Sequence, residues 1–273
     1  MVFGTLKDKC LYYRSLTDYK LIPNSYVICM LDGRSFSKII KNKFKKPFDE
    51  TFAQMMNDVA VYLCQNVYGC KLAYVQSDEI TLILTDFEKP NIDSMFKYRL
   101  CKLQSIIASM AAGKFNQLWL KNKLELVWTN DNIQMDYVLD VVNAQKLVEF
   151  DCKCWNVPSF NDVFAWLLYR QNECIRNSKS QFAQTYISHK SLQGLTSDEQ
   201  IELVEKEKNL VWNEINDAFK FGRHIYKEEE EYYDEERDIK YLRNSFKVHN
   251  AVELKNAEER ERFMSLDIIP KIS

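Results

Sequence analysis

The chain has 273 residues, 46% hydrophobic and 28% charged, with a formal net charge of −2. This is the composition of a globular protein with enough apolar side chains for a packed core, and its near-neutral balance excludes the uniformly basic domain that is the simplest footprint of a nucleic-acid binder. No apolar run reaches the roughly 18 residues of a membrane span, so no membrane partner is expected. The N-terminus, MVFGTLKDKCLYYRSL, has no signal-peptide core and is not Arg- and Ser-rich. A cytoplasmic protein is therefore expected, with a mitochondrial destination left open and the eight cysteines reduced.

In chain order, SYVICML (25–31) is a short apolar run that stops at Asp32-Gly33, a strand followed by a turn. Residues 34–46 carry Arg34, Lys38, Lys41, Lys43, Lys45 and Lys46 and no acid. Behind Pro47 and a capping Asp49, residues 49–68 place Phe52, Met55, Met56, Val59, Tyr62 and Leu63 at helical spacing. LAYVQSDEITLIL (72–84) reads as two strands, about 71–76 and 80–85, with Ser77, Asp78 and Glu79 at the tip. A long helix follows from Asn91 or Asp93, with only basic charges between 97 and 123, and KLVEFDCKC (146–154) is a further strand. Its C-x-C, with no second pair and no nearby His, reads as buried cysteine rather than a metal site.

The order β-α-β-β-α-β is the ferredoxin-like arrangement. Past residue 155 the pattern turns helical, over 162–187 and 197–219, the second with capping-box spacing at Ser197 and Gln200. Acids collect in KEEEEYYDEERD (227–238), where short strands are expected. No repeat or linker divides the chain. The expectation is one α+β domain: a ferredoxin-like, palm-like core over 20–155 and a mostly helical part over 156–273 packed on it.

Two adjacent acids at the tip of a buried hairpin require a reason. In a βαββαβ sheet the end of the first strand lies beside the tip of the central hairpin, which brings Asp32 to Asp78 and Glu79. Such carboxylates repel one another unless a cation joins them. Mg²⁺ takes hard oxygen ligands and favours one or two carboxylates plus substrate phosphates, and the Gly33 carbonyl is close enough to assist. Two ions roughly 3.5–4 Å apart serve in-line phosphoryl displacement, with nearby basic residues holding a triphosphate. The plainer alternative is two solvated polar turns and solvated basic faces.

LDGRSF, then KKPFD, then AYVQSDEITLIL, then FKYRLCKL, in that order, resemble the tRNA-His guanylyltransferase superfamily of 3′–5′ nucleotidyltransferases with a polymerase palm. The resemblance spans about residues 6–216. It implies metal-binding Asp32 and Asp78 assisted by the Gly33 carbonyl, two Mg²⁺ ions, and Glu79 as the adjacent catalytic acid. It further implies nucleotide contacts from Asp32, Gly33, Arg34, Ser35, Phe36, Ser37, Lys46, Ser77 and Asp78. Lys97, Arg99 and Lys102 match a basic helix face that contacts triphosphate or the tRNA end. The guanylyltransferases proper carry H-I-N-N-L-Y-N-T where this chain has LYRQNECIRNSKSQFA (168–183). This places it with the guanylyltransferase-like branch, with Arg176, Asn177 and Lys208 as tRNA contacts. Met30 stands where relatives have Arg, and His189 reads as a core or RNA-surface residue. The implied activity is template-dependent addition of nucleotides to the 5′ end of tRNA, after ATP activates the 5′ phosphate, with GTP and other NTPs as substrates and a homotetramer as the assembly. The alternatives are single-G addition to tRNA-His and an idle tRNA-binding protein.

Overall fold

The structure, a computed structural model, describes residues 3–39, 43–88, 93–128, 139, 142–143, 146–234 and 237–271. Helix α1 (Leu6–Ser15) buries none of its side chains. Strand β1 (Tyr26–Gly33) is followed by α2 (Glu50–Asn66), whose first turn is capped by Asp49 accepting from the Phe52 amide. β2 (Cys70–Gln76) and β3 (Glu79–Leu84) form the central hairpin, α3 (Leu100–Trp128) crosses back, and β4 (Phe150–Val157) completes the βαββαβ unit. Then come α4 (Phe160–Tyr186), α5 (Ser197–Lys208), β5 (Arg223–Asp234), β6 (Ile239–Asn250) and α6 (Ala257–Ser265). All six strands join one antiparallel sheet in the order β4-β1-β3-β2-β5-β6. No described helix is long and apolar enough to cross a membrane.

Period-two alternation divides the strand side chains between two cores. Val27, Cys29 and Leu31 join Val75, Ile80 and Leu82 against Met56, Leu63, Ile107 and Phe115 of α2 and α3. Tyr26 and Ile28 join Leu72, Tyr74 and Ile83 against Val163 and Leu167 of α4 and Phe263 of α6. Continuing that alternation, Asp32 falls on the face covered by α4.

Several elements depart from the sequence expectation for local reasons. α3 begins at Leu100, not at Asp93, and Asn91 lies outside the described residues. Phe96, Lys97 and Tyr98 all have left-handed backbone (φ 55°, 52° and 52°), which cannot run on into a right-handed helix. The capping box of α5 is Thr196 with Glu199, one residue earlier than expected, and α5 stops at Lys208 because Asn209 is left-handed. Residues 227–234 of the acid run belong to the 12-residue β5, which pairs with the equally long β6, where short strands were expected. Cations on β6 answer the acids of β5, as in Lys247–Glu230 and Lys240–Glu231.

Gly33, at the end of β1, is fixed by packing. A Cβ placed there would lie 2.2 Å from Cδ2 of Phe36. Phe36 is buried, with its ring edge-on to Phe52, Phe115 and Phe150, so it has no room to yield. Gly33→Ala is therefore expected to lose about 1–3 kcal/mol of stability by overpacking, read from the midpoint of urea unfolding. An unchanged midpoint would show that the Phe36 cluster is soft.

Candidate active site

Asp32 is the Cα partner of Glu79 on β3 and of Asp151 on β4, so three acids stand in a row across three adjacent strands. Asp78 is the second residue of the two-residue turn between Gln76 and Glu79, and Ser77 takes the positive φ (45°) that such a turn needs. Helix α4 approaches from the covered face. Arg170 Nε donates to Glu79 Oε1 at 2.8 Å, a second guanidinium nitrogen donates to Oε2, and Gln76 Nε2 donates to Oε1 at 3.1 Å. A cleft of about 290 Å³ opens beside these groups. Asp32, Ser77 and Asp78 line it together with Phe44, Lys45, Pro47 to Asp49 and the start of α2, and with Asn177, Ser178 and Gln181 of α4, Phe219 and Arg223.

Burial pushes the Asp78 carboxyl up to about 6, with the charges of Asp32 and Glu79 adding to it against its own backbone and the Ser77 hydroxyl. Asp32 is raised by burial and then by Asp151, while Lys153 and Arg170 pull the other way. Glu79 is raised by burial and held back by Arg170 and Gln76. The fold therefore keeps Asp32 and Asp78 close together, and among the described residues neither carboxylate makes an ion pair. Among the described residues no third His, Cys, Asp or Glu completes a metal cage with them. Two hard carboxylate oxygens with open positions fit Mg²⁺, which keeps waters and substrate phosphates in its shell. Asp32 and Asp78 are the residues that would hold it.

Of the expected site residues, Asp32, Ser77, Asp78, Glu79 and Asn177 share this cleft. Glu79 is spoken for by Arg170 and acts there as an anchor for α4. Phe36 supports the site from within the core. Arg34 is exposed and paired with Glu149 at 2.7 Å, Ser35 is exposed, and the Ser37 side chain lies outside the described set. Lys46 is exposed beside the cleft, and its neighbours Lys45 and Pro47 line it. Asp49 accepts from the Lys45 amide at 2.7 Å and so shapes this loop.

The basic helix face is not as expected. Lys97 precedes α3 in a left-handed turn, and Arg99 pairs with Asp18 at 2.6 Å. This end of α3 packs where β1 begins, with the Leu21 amide donating to the Tyr98 carbonyl. Lys97, Arg99 and Lys102 thus gather by the segment that leads into β1, whereas Asp32 stands at that strand's other end. Arg176 faces outward onto Glu173, Lys208 is exposed at the end of α5, and His189 is exposed and outside the cleft lining. Met30 is half-buried opposite Thr81 and Lys153. The eight cysteines are free, and Cys152 and Cys154 belong to no metal group among the described residues.

Sequence reasoning missed Asp151, Arg170 and Arg223. A signal existed for Arg170: residues 170, 174, 177 and 181 recur at helical spacing, and all four line the cleft.

Metal-free Asp78→Asn is expected to be more heat-stable than wild type above pH 6, by up to about 3 kcal/mol. A carboxyl whose folded pKa lies above its ordinary 3.8 destabilises the fold wherever it must ionise, so the gap should close as pH falls from about 6 to about 4. Mg²⁺ should raise the melting temperature of wild type and not of the variant. A variant less stable than wild type throughout this range would mean that the carboxylate holds the turn together.

Known proteins share both the sequence pattern and the fold. The family described as tRNAHis guanylyltransferase (Thg1) matches residues 11–158. An uncharacterized protein of Acanthamoeba polyphaga mimivirus is 29% identical over 231 residues, 81% of this chain and 76% of its own. The tRNA(His) guanylyltransferase of Debaryomyces hansenii is 24% identical over 219 residues, 76% of each chain. A solved bacterial tRNA(His) guanylyltransferase (Thg1)-like protein in complex with ATP aligns with a TM-score of 0.77 at 28% identity, covering 95% of this chain and 98% of that one. Another such structure, in complex with GTP, gives 0.71 at 26% identity, covering 95% and 97%. With a palm of the same topology and the family match running across Asp32 and Asp78, the chain belongs to the tRNAHis guanylyltransferase (Thg1) family of nucleotidyltransferases.

Proposed function

We propose that this enzyme adds nucleotides in the 3′–5′ direction to the 5′ end of tRNA, choosing each one by pairing with the opposite strand. The observation that carries the reading is the pair Asp32 and Asp78, delivered by the end of β1 and the tip of the β2–β3 hairpin to one cleft, with no ion pair to either among the described residues. The likeness to Thg1-like proteins holding ATP and GTP supports nucleotides as the occupants. Mg²⁺, when bound at these carboxylates, supplies Lewis-acid polarisation of phosphoryl oxygens and a more acidic attacking hydroxyl.

The chain's own residues do the positioning. Arg170 and Gln76 fix Glu79, and through it the register of the hairpin that carries Asp78. Asp49 holds the 45–49 loop against the cleft. A 5′-monophosphorylated tRNA end attacks the α-phosphorus of ATP and releases pyrophosphate, and the 3′-hydroxyl of the incoming NTP then loses its proton and bonds to the 5′ phosphorus as AMP leaves. A 5′-triphosphorylated end releases pyrophosphate instead. Lys97, Arg99 and Lys102 then belong with the body of the RNA rather than the triphosphate, because they lie a strand's length from the carboxylates. Arg176 and Lys208 are exposed cations on the helical side, available to the same RNA in a homotetramer.

The test uses a non-His tRNA lacking its first nucleotide, with the opposing base varied through all four identities and each labelled NTP supplied. Addition should follow the template, since a mispaired nucleotide misplaces its 3′-hydroxyl and in-line transfer tolerates little misplacement. Asp32→Ala and Asp78→Ala should each lower addition by about 10²-fold or more while remaining folded. G added only to tRNA-His, whatever the opposing base, would replace this reading with single-G transfer.

A further inference from the structure

Three strands along the sheet from Asp32, in the same cleft, sits a cation that makes no ion pair with any described residue. Arg223 is the first residue of β5 and the Cα partner of Val75, one residue before the hairpin position opposite Glu79. At the usual strand spacing its backbone lies about 14 Å from that of Asp32. The chain enters through Gly222 (φ +85°), where a Cβ would meet the Tyr74 ring at 2.7 Å and the Val75 carbonyl at 2.8 Å. This close seat holds Arg223 in place. The residue is 5% exposed and lines the cleft beside Cys174, Ser178 and Phe219. Its Nε has no hydrogen-bond partner, and it makes no ion pair among the described residues. The carboxylate whose charge reaches it is Glu50, exposed at the start of α2.

The contrast with its neighbours is informative. Arg170 is matched to Glu79, and the buried Lys220 to Asp217 and the Asn213 carbonyl. Arginine cannot discharge itself by losing a proton. An unpaired guanidinium is destabilising when buried, and its planar fork suits two oxygens of a phosphoryl group.

We propose that Arg223 is an anion-binding residue of this cleft, taking a phosphoryl group of the nucleotide or of the RNA 5′ end. The proposal rests on reading the cleft as the nucleotidyl-transfer site, and it adds a contact that the Asp32–Asp78 pair does not supply. Guanosine offers the same fork two base acceptors, so the phosphate and the base must be separated by experiment.

The experiment measures equilibrium binding, in Mg²⁺, to full-length wild type, Arg223→Met and Arg223→Lys. The ligands are GTP, ATP, inorganic tripolyphosphate, guanosine, and one oligoribonucleotide with either a 5′ phosphate or a 5′ hydroxyl. The expected result is at least a tenfold loss by Arg223→Met for phosphate-bearing ligands, partial recovery in Arg223→Lys, and unchanged binding of guanosine and 5′-hydroxyl RNA. Loss on GTP, ATP and tripolyphosphate assigns the nucleotide as the source, and loss on 5′-phosphorylated RNA alone assigns the RNA end. Melting of ligand-free Arg223→Met at or above wild type would add that the charge is held for a ligand rather than for the fold. The proposal is overturned if phosphate-bearing ligands bind both variants within threefold of wild type, or if guanosine binding falls while tripolyphosphate binding does not. If Arg223→Met does not fold, Arg223→Lys alone decides by the same thresholds. Wild type that binds no nucleotide at all would overturn both this inference and the function it rests on, whereas wild-type binding with unaffected variants removes only the inference.

Discussion

The ion pair between Arg170 and Glu79 is the contact on which the site depends. The βαββαβ topology aligns Asp151, Asp32 and Glu79 across three strands, and like charges directly opposite one another destabilise a sheet. Arg170 removes one of the three by a two-pronged contact in which both side chains are largely buried. Its ring neighbours Trp166 and Tyr169 flank the guanidinium at 5.8 and 5.2 Å. The same contact ties α4 to the end of the sheet. The cleft has a wall on that side because residues 174, 177, 178 and 181 follow Arg170 along one helix face. Without the pair, the hairpin would carry an unmatched acid beside two others and α4 would lose its anchor.

How much of this was legible in the sequence follows from the range over which each feature is decided. The palm strands and α2 were readable because alternation and helical spacing are local, and Asp49 marked the cap of α2 correctly. The convergence of Asp32 with Asp78 was readable because the topology dictates it once the element order is known. The start of α3 was not, since three successive non-glycine residues adopt left-handed backbone there and nothing in MFKYR announces it. The same turn keeps Lys97 and Arg99 out of α3, so with Lys102 they do not form one helix face, and Arg99 turns to Asp18 instead. The acid run 227–238 concealed a strand because its compensation comes from β6, across a hairpin. Arg223 drew no attention for a similar reason, as its neighbours Val75, Cys174 and Phe219 come from distant parts of the chain.

The cleft that results is electrically divided. Among the described residues, Asp32 and Asp78 at one end make no ion pair, Glu79 and Arg170 cancel in the middle, and Arg223 at the other end makes none. Each unmatched group is unfavourable in a buried setting, and the two cannot relieve each other across a rigid sheet. The cores on either face of that sheet, anchored by side chains as large as Tyr26, Tyr74, Phe36 and Phe115, hold the groups in place despite their cost. A ligand that fits must bring positive charge to the carboxylate end and negative charge to the arginine end. A polyphosphate carrying a divalent cation would have that polarity and a bare nucleobase would not, which is the physical sense in which the proposed arginine contact and the proposed metal site belong to one ligand.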